Sequence, residues 1–281
     1  MSLISKPVFQ ALGRWRLLVL VAAALLALWW VAVLVSEFTS SSLQARYFAN
    51  LARESRFQLK SGPSSSIVFP ATGPYDQRLG YSHLPDIIER LSGSGFEVQS
   101  QTRFSPRLVS LSKLGLTPAY HEKAQAGLEI LDRNHEPIFS YRYPERVYRD
   151  FNAVPRLIMQ SLLFIENRDL FDPDHPTRNP AVEWDRLAKA VMDQALHAVH
   201  VSAQASGGST LATQIEKYRH SPDGRTASVR EKLRQMASAS VRAYLDGEEV
   251  SAARQRIVLD YLNSVPLAAK PGYGEVNQWY L

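Results

Sequence analysis

The chain has 281 residues, 45% of them hydrophobic, which allows a sizeable buried core and excludes wholesale disorder. Its formal net charge is +5 and its pI is near 9.4, a mild excess that suits an anionic partner such as phospholipid headgroups but is too weak to indicate nucleic acid. Cysteine is absent, which removes disulfides, zinc ribbons and thiol nucleophiles together.

The first segment with a clear physical signature is "RWRLLVLVAAALLALWWVAVLVSEF", uncharged from Leu17 to Val35. A helix of that length spans roughly 28 Å at about 1.5 Å per residue, close to a bilayer's hydrocarbon thickness. A cleaved signal peptide is the alternative, but its apolar core is usually about 7–15 residues long, and no small-residue cleavage site closes this run. Lys6, Arg14 and Arg16 precede it and Glu37 follows, so the positive-inside bias puts residues 1–16 in the cytoplasm and the main body outside. Trp15, Trp29, Trp30 and Phe38 suit the two interfaces, although the tryptophan pair could equally pack on another helix.

Residues 36–62 read as a juxtamembrane helix and linker, and 63–125 as a small α/β module with Gly/Pro punctuation. Within the module "LPDIIERLSGSG" predicts a short helix stopped by glycine, and "FEVQSQTRF" alternates as a strand does. From residue 126 "GLEILDRNHEPIFSYRYPERVY" predicts two strands joined by a turn at 133–137. "PRLIMQSLLFIENRDLF" then has helical spacing, with Pro155 in its first turn. Helices are expected at about 181–199, after the Gly207-Gly208 pair, at about 226–245 and at about 251–264. The expected fold class is mostly α.

Several polar residues are placed where chemistry is possible. Glu166 ends an apolar helix, a setting that can raise a carboxylate's pKa and fit it for proton abstraction; an ordinary ion pair with Arg168 is the plainer reading. In "ASGGSTLATQIEKY" Ser209 is the expected helix cap. Thr210, Gln214 and Lys217 share one helical face, while Leu211, Ile215 and Tyr218 form the adjoining inward stripe. Lys217 with Arg230 and Lys232 would neutralise a phosphate or pyrophosphate, or else form a solvated basic surface.

These pieces, in this order, resemble the peptidoglycan glycosyltransferase domain of class A penicillin-binding proteins and their monofunctional relatives. The family's helix ending Glu-Asp-Arg is similar to "PRLIMQSLLFIENR", and its Asp-Trp before a helix to "VEWDRLAKAV". Gly-Gly-Ser-Thr-Ile-Thr-Gln-Gln followed by Lys resembles "GGSTLATQIEK", the most specific match. "REKLRQ" stands for Arg-Lys-x-x-Glu, "RIVLDYLN" for Arg-Ile-Leu-Glu-x-Tyr-Leu-Asn, and "GYGEV" for a closing Tyr-Gly-Ile-Glu. The resemblance runs from about Leu128 to Glu275.

It implies a lysozyme-like, mostly helical domain that polymerises lipid II into β-1,4 glycan on the outer face of the cytoplasmic membrane. Glu166 matches the family's base. Arg168, Ser209, Thr210, Gln214, Lys217, Arg230 and Asn263 fall at substrate-binding positions. By the same resemblance the leaving pyrophosphate needs cations or a divalent metal ion, magnesium or manganese, and the partners are lipid II, nascent glycan and other cell-wall synthesis proteins. The departures are specific. Asn167 replaces the family Asp, the following aromatic is displaced to Phe171, and His175 is the only counterpart of the His-x-Gly pattern. The second Glu of Arg-Lys-x-x-Glu is Arg234, so Glu231, one turn earlier, is the expected substitute with Arg234 bonding pyrophosphate directly. Asp260 is expected to be structural. The family domain is expected to continue past Leu281, and an incomplete one would expose apolar surface. These departures leave open a non-catalytic relative that binds lipid II or glycan as a scaffold, and a glycan-cleaving lysozyme-like enzyme.

Overall fold

The computed structural model describes residues 6–65, 67, 73–117, 120–184, 209–265, 268–270 and 274–276. Helix α1 covers Lys6–Ser40. Its stretch Leu17–Ser40 is long and apolar enough to cross a membrane, with mean hydropathy 2.8 and no residue of that window buried. The chain turns at Ser41 (φ 52°) into α2 (Ser42–Glu54), whose N-cap side chain makes no capping bond. Glu37 supplies the missing acceptor, taking the N–H groups of Leu43 at 2.8 Å and Gln44 at 2.9 Å.

Helix α2 buries Ala45, Ala49 and Ala52, spaced by four and three residues on one face. These small side chains let it lie close against Val241, Ala243 and Tyr244. Strand β1 (Phe57–Ser61) pairs antiparallel with β2 (Ser100–Phe104). That ribbon starts before residue 63, inside the stretch expected to be linker, and β2 is shorter than the alternating run from Phe96 suggested. Between and after the strands lie α3 (Pro74–Arg78), α4 (Leu84–Gly93) and α5 (Pro106–Lys113).

A hairpin of β3 (Ala126–Leu131) and β4 (Pro137–Tyr143) follows. Asp132 closes its turn by accepting the N–H groups of Asn134 and Glu136. Among the described residues four helices build the rest: α6 (Arg156–Glu166), α7 (Leu211–His220), α8 (Val229–Ala243) and α9 (Ser251–Ser264). Pro155 is the N-cap of α6 rather than a member of its first turn. A short β5–β6 hairpin, Ala268–Lys270 with Gly274–Val276, comes last. The helix expected at about 181–199 lies outside the described residues beyond Trp184, as do Gly207, Gly208 and part of "GYGEV". Among the described residues the fold is mostly helical, as expected.

The main core joins Leu211 and Ile215 of α7 to Ala239 of α8 and Ile257, Val258, Tyr261 and Leu262 of α9. Each fully buried aliphatic side chain of this kind contributes roughly 1.5–3 kcal/mol. Tyr218, at the edge of the expected inward stripe, is only half-buried.

On the opposite side of α7 lies a buried network of charges. Glu122, 2% exposed, sits between Arg219 at 2.8 Å, His220 at 2.9 Å and Arg242 at 2.9 Å. Burial alone would raise the Glu122 carboxyl, but Arg242, His220 and Arg219 hold it well below the usual carboxylate value. Burial would lower His220, yet Glu122 and Asp76 push it up to about 9. Glu216 accepts from Arg242 at 2.8 Å and from the Thr117 hydroxyl at 2.7 Å, and Asp260 lies 3.3 Å from Arg219. Asp260, expected to be structural, is thus paired with the buried Arg219.

Candidate active site

Helix α6 ends at Glu166 because Asn167 is extended (φ −160°, ψ 95°) and its side-chain oxygen takes the N–H of Asp169. This turn leaves Glu166 half-buried on the last turn of an apolar helix. Helix α7 starts at Thr210, whose hydroxyl accepts the Thr213 N–H at 3.2 Å while the Thr213 hydroxyl accepts the Thr210 N–H at 2.9 Å. One turn into α7, Gln214 faces Glu166, and Lys217 follows on the same side.

Gln214 Nε2 donates to Glu166 Oε2 at 2.9 Å, and Gln214 Oε1 accepts the Tyr261 hydroxyl at 3.3 Å. A tyrosine hydroxyl bound to the amide oxygen leaves the amide nitrogen as the donor to the carboxylate. Burial and then the nearby Glu166 raise the Tyr261 hydroxyl, so it stays protonated to donate. Burial lowers Lys217, partly offset by Glu166, which places the acid and the lysine within electrostatic reach of each other. Lys217 also sits 4.5 Å above the Tyr218 ring.

Lys217 opens onto a cavity of about 370 Å³ that it lines with Ser209, Tyr218, Asp223, Arg225 and Lys232. Lys232 donates to the Ser209 hydroxyl and is lowered by burial and by Lys217. Two crowded ammonium groups in one concave site are relieved by a bound anion. A second cavity of about 350 Å³ lies past the end of α6, lined by Phe164, Ile165, Arg168, Arg178 and Arg254 among others.

The expected site residues therefore divide. Glu166, Gln214, Lys217 and Ser209 come together. Ser209 is not the helix cap; it binds Lys232, and Thr210 is the cap. Thr210 is 2% exposed and occupied with Thr213 and the Ala181 carbonyl, so it does not face the cavity. Asn263 is 1% exposed and bonds both the N–H and the carbonyl of Tyr148, at 2.9 Å each. Arg168 does not pair with Glu166: its guanidinium stacks on Phe164 at 4.0 Å and donates to the Phe164 carbonyl. Arg230 is exposed and is not part of the cavity lining.

The substitute expected in Glu231 does not reach the cleft. Its carboxylate accepts the Ala227 N–H at 2.7 Å, tying down the turn before α8. Arg234 packs against Gly115 of the preceding module, where an added Cβ would meet its guanidinium at 2.6 Å. His175 pairs with Asp172 at 2.7 Å and stays with its own loop. Among the described residues no three His, Asp or Glu side chains gather to hold a metal ion.

Sequence reasoning placed Lys232 only among general cations, and it missed Tyr261. The signal for Lys232 lay in Met236 and Ala239, four and seven residues on: that face joins the main core, so Lys232 tops it at the cavity rim. Tyr261 carried no separate signal, because an aromatic at a core position of α9 reads as packing alone.

A family model described as Transglycosylase matches residues 134–277, just over half of the chain. No curated protein and no solved structure matches it.

Proposed function

The chain belongs to the transglycosylase family, and from that premise we propose that it polymerises lipid II into β-1,4 glycan, held by α1 at the outer face of the cytoplasmic membrane. The observation that carries this reading is the Gln214–Glu166 bond beside the Lys217–Lys232 cavity. Glu166 takes the proton of the acceptor hydroxyl as its oxygen bonds to the donor's anomeric carbon. The bond from that carbon to the pyrophosphate breaks, with inversion, and the departing negative charge passes to Lys217 and Lys232. Gln214, fixed by Tyr261, keeps one carboxylate oxygen bonded and leaves the other for the incoming hydroxyl.

Among the described residues the donor set at the cleft does not fit a divalent ion. Charged groups at the cleft are mainly cationic, and the position that carries the family's second carboxylate is Arg234, turned toward Gly115. The lysines supply the compensation instead. Anchoring with the N-terminus inside is supported by the length and exposure of Leu17–Ser40 and by the basic residues before it. The end of α1 is fastened to the body near the site: Thr177 donates to the Ser40 carbonyl at 2.7 Å, and Phe38 packs on Trp184 at 5.2 Å between centroids. Such ties would hold the cleft near the bilayer surface, where a lipid-tailed donor lies.

The placement of Arg234 favours a second reading, in which the protein binds lipid II or nascent glycan without turnover and serves other cell-wall synthesis proteins as a scaffold. Detergent-solubilised full chain incubated with lipid II separates the two. Glycan chains are the expected product; saturable binding with no chains would establish the scaffold instead.

A further inference from the structure

Residues 73–117 and 120–122 lie outside the stretch that matches the family, yet Gly73, Tyr75, Asp76, Thr117 and Glu122 pack against the back of α7, the helix that carries Gln214 and Lys217. Gly73 touches the last turn of α7 directly. A Cβ added there would stand 1.9 Å from the Arg219 carbonyl oxygen and 2.6 Å from the His220 Cα. The next residues, in α3, add Tyr75 beneath the Arg219 guanidinium at 4.6 Å and Asp76 against His220 at 3.1 Å. At the far end of the segment, Glu122 reaches Arg219 and His220 of α7 and Arg242 of α8.

These contacts all fall on one side of α7, through Glu216, Arg219 and His220, while Gln214 and Lys217 occupy the cleft side. A ten-residue helix gripped along its back by buried ion pairs has little freedom to slide or roll. We infer that the segment Gly73–Glu122 is a built-in positioning element, with Glu122 and Gly73 as its positioning residues, that holds α7 where Gln214 meets Glu166. The inference rests on the proposed function only for its catalytic consequence.

The test measures amide hydrogen exchange and lipid II polymerisation on the full solubilised chain, for wild type, Gly73→Ala and Glu122→Gln. Gly73→Ala leaves every charge in place and displaces the segment from α7 by sterics alone. The expected result for both variants is at least tenfold faster exchange across α7 with α2 and α6 unchanged. With it, kcat falls at least tenfold and KM changes less than threefold. Unchanged α7 exchange, equal loosening of all helices, or a loosened α7 with full kcat would each overturn the inference. If Glu122→Gln does not fold, Gly73→Ala decides. A wild type that makes no glycan removes the proposed reaction, while the exchange measurement still reports on the grip itself.

Discussion

Gln214 and Glu166, 48 residues apart in sequence and on different helices, meet through a single 2.9 Å hydrogen bond from amide to carboxylate. The amide is oriented by Tyr261, so a chain of three side chains from α9, α7 and α6 ends on the candidate base. Replacing Gln214 with Leu removes the donor and leaves both neighbours short of a partner. We expect kcat for glycan formation to fall on the order of 10–100-fold, less than the roughly 10²–10⁴-fold that a general base itself contributes. KM should change little. Steady-state kinetics with lipid II checks the split.

Burial lowers both Lys217 and Lys232, and Lys217 lowers Lys232 further across the cavity. Lys232→Ala should weaken binding of inorganic pyrophosphate about tenfold, the scale of one charge-assisted contact. It should also flatten the salt dependence, because fewer charges remain to be screened. Titration calorimetry at two salt concentrations reads both effects.

Thr210 and Asn263 were expected at the substrate, but their bonds are internal. Thr210→Ala should cost about 1–2 kcal/mol of stability through loss of the cap. Asn263→Ala should cost about 1–3 kcal/mol, since it strands a buried N–H and carbonyl of Tyr148. At a temperature where both variants are folded, pyrophosphate affinity should match wild type. Chemical denaturation and calorimetry together test this.

The buried network predicts a pH window for stability. His220, raised from 6.5 to about 9, contributes stability that is fully present below pH 6.5 and is lost as pH rises through about 9. Glu122, held well below its usual 4.5, contributes stability present above that value and lost as pH falls below it. Thermal melts across pH should therefore peak between about 4.5 and 6.5 and decline toward pH 9. His220→Gln should flatten the alkaline side; an unaltered slope would count against the network's charge state.

Much of this was legible before any coordinates. Periodicity located α9 at 251–264 and α7 after the glycine pair, and Leu211 and Ile215 were read correctly as inward. The order of motifs indicated the family, and Glu166, Gln214 and Lys217 were singled out together. Thr210 was misread because helical periodicity put it on the polar face, whereas the N-cap position turns the side chain back onto the helix's own N–H groups. Glu231 shows the same limit: being i,i−3 to position 234 places it on a neighbouring face but not in a given cleft. Glu122 was invisible, since its three partners lie 97–120 residues away and nothing local in "YHEKAQ" marks a buried acid.

The account depends on a proton acceptor at the end of α6 acting next to two lysines, and the most direct measurement compares lipid II turnover by wild type and Glu166→Gln. Amide for carboxylate keeps the shape and removes the base. Glycan chains from wild type and none from the variant, with pyrophosphate binding retained by both, is the predicted result. Chain formation by Glu166→Gln at the wild-type rate would contradict it.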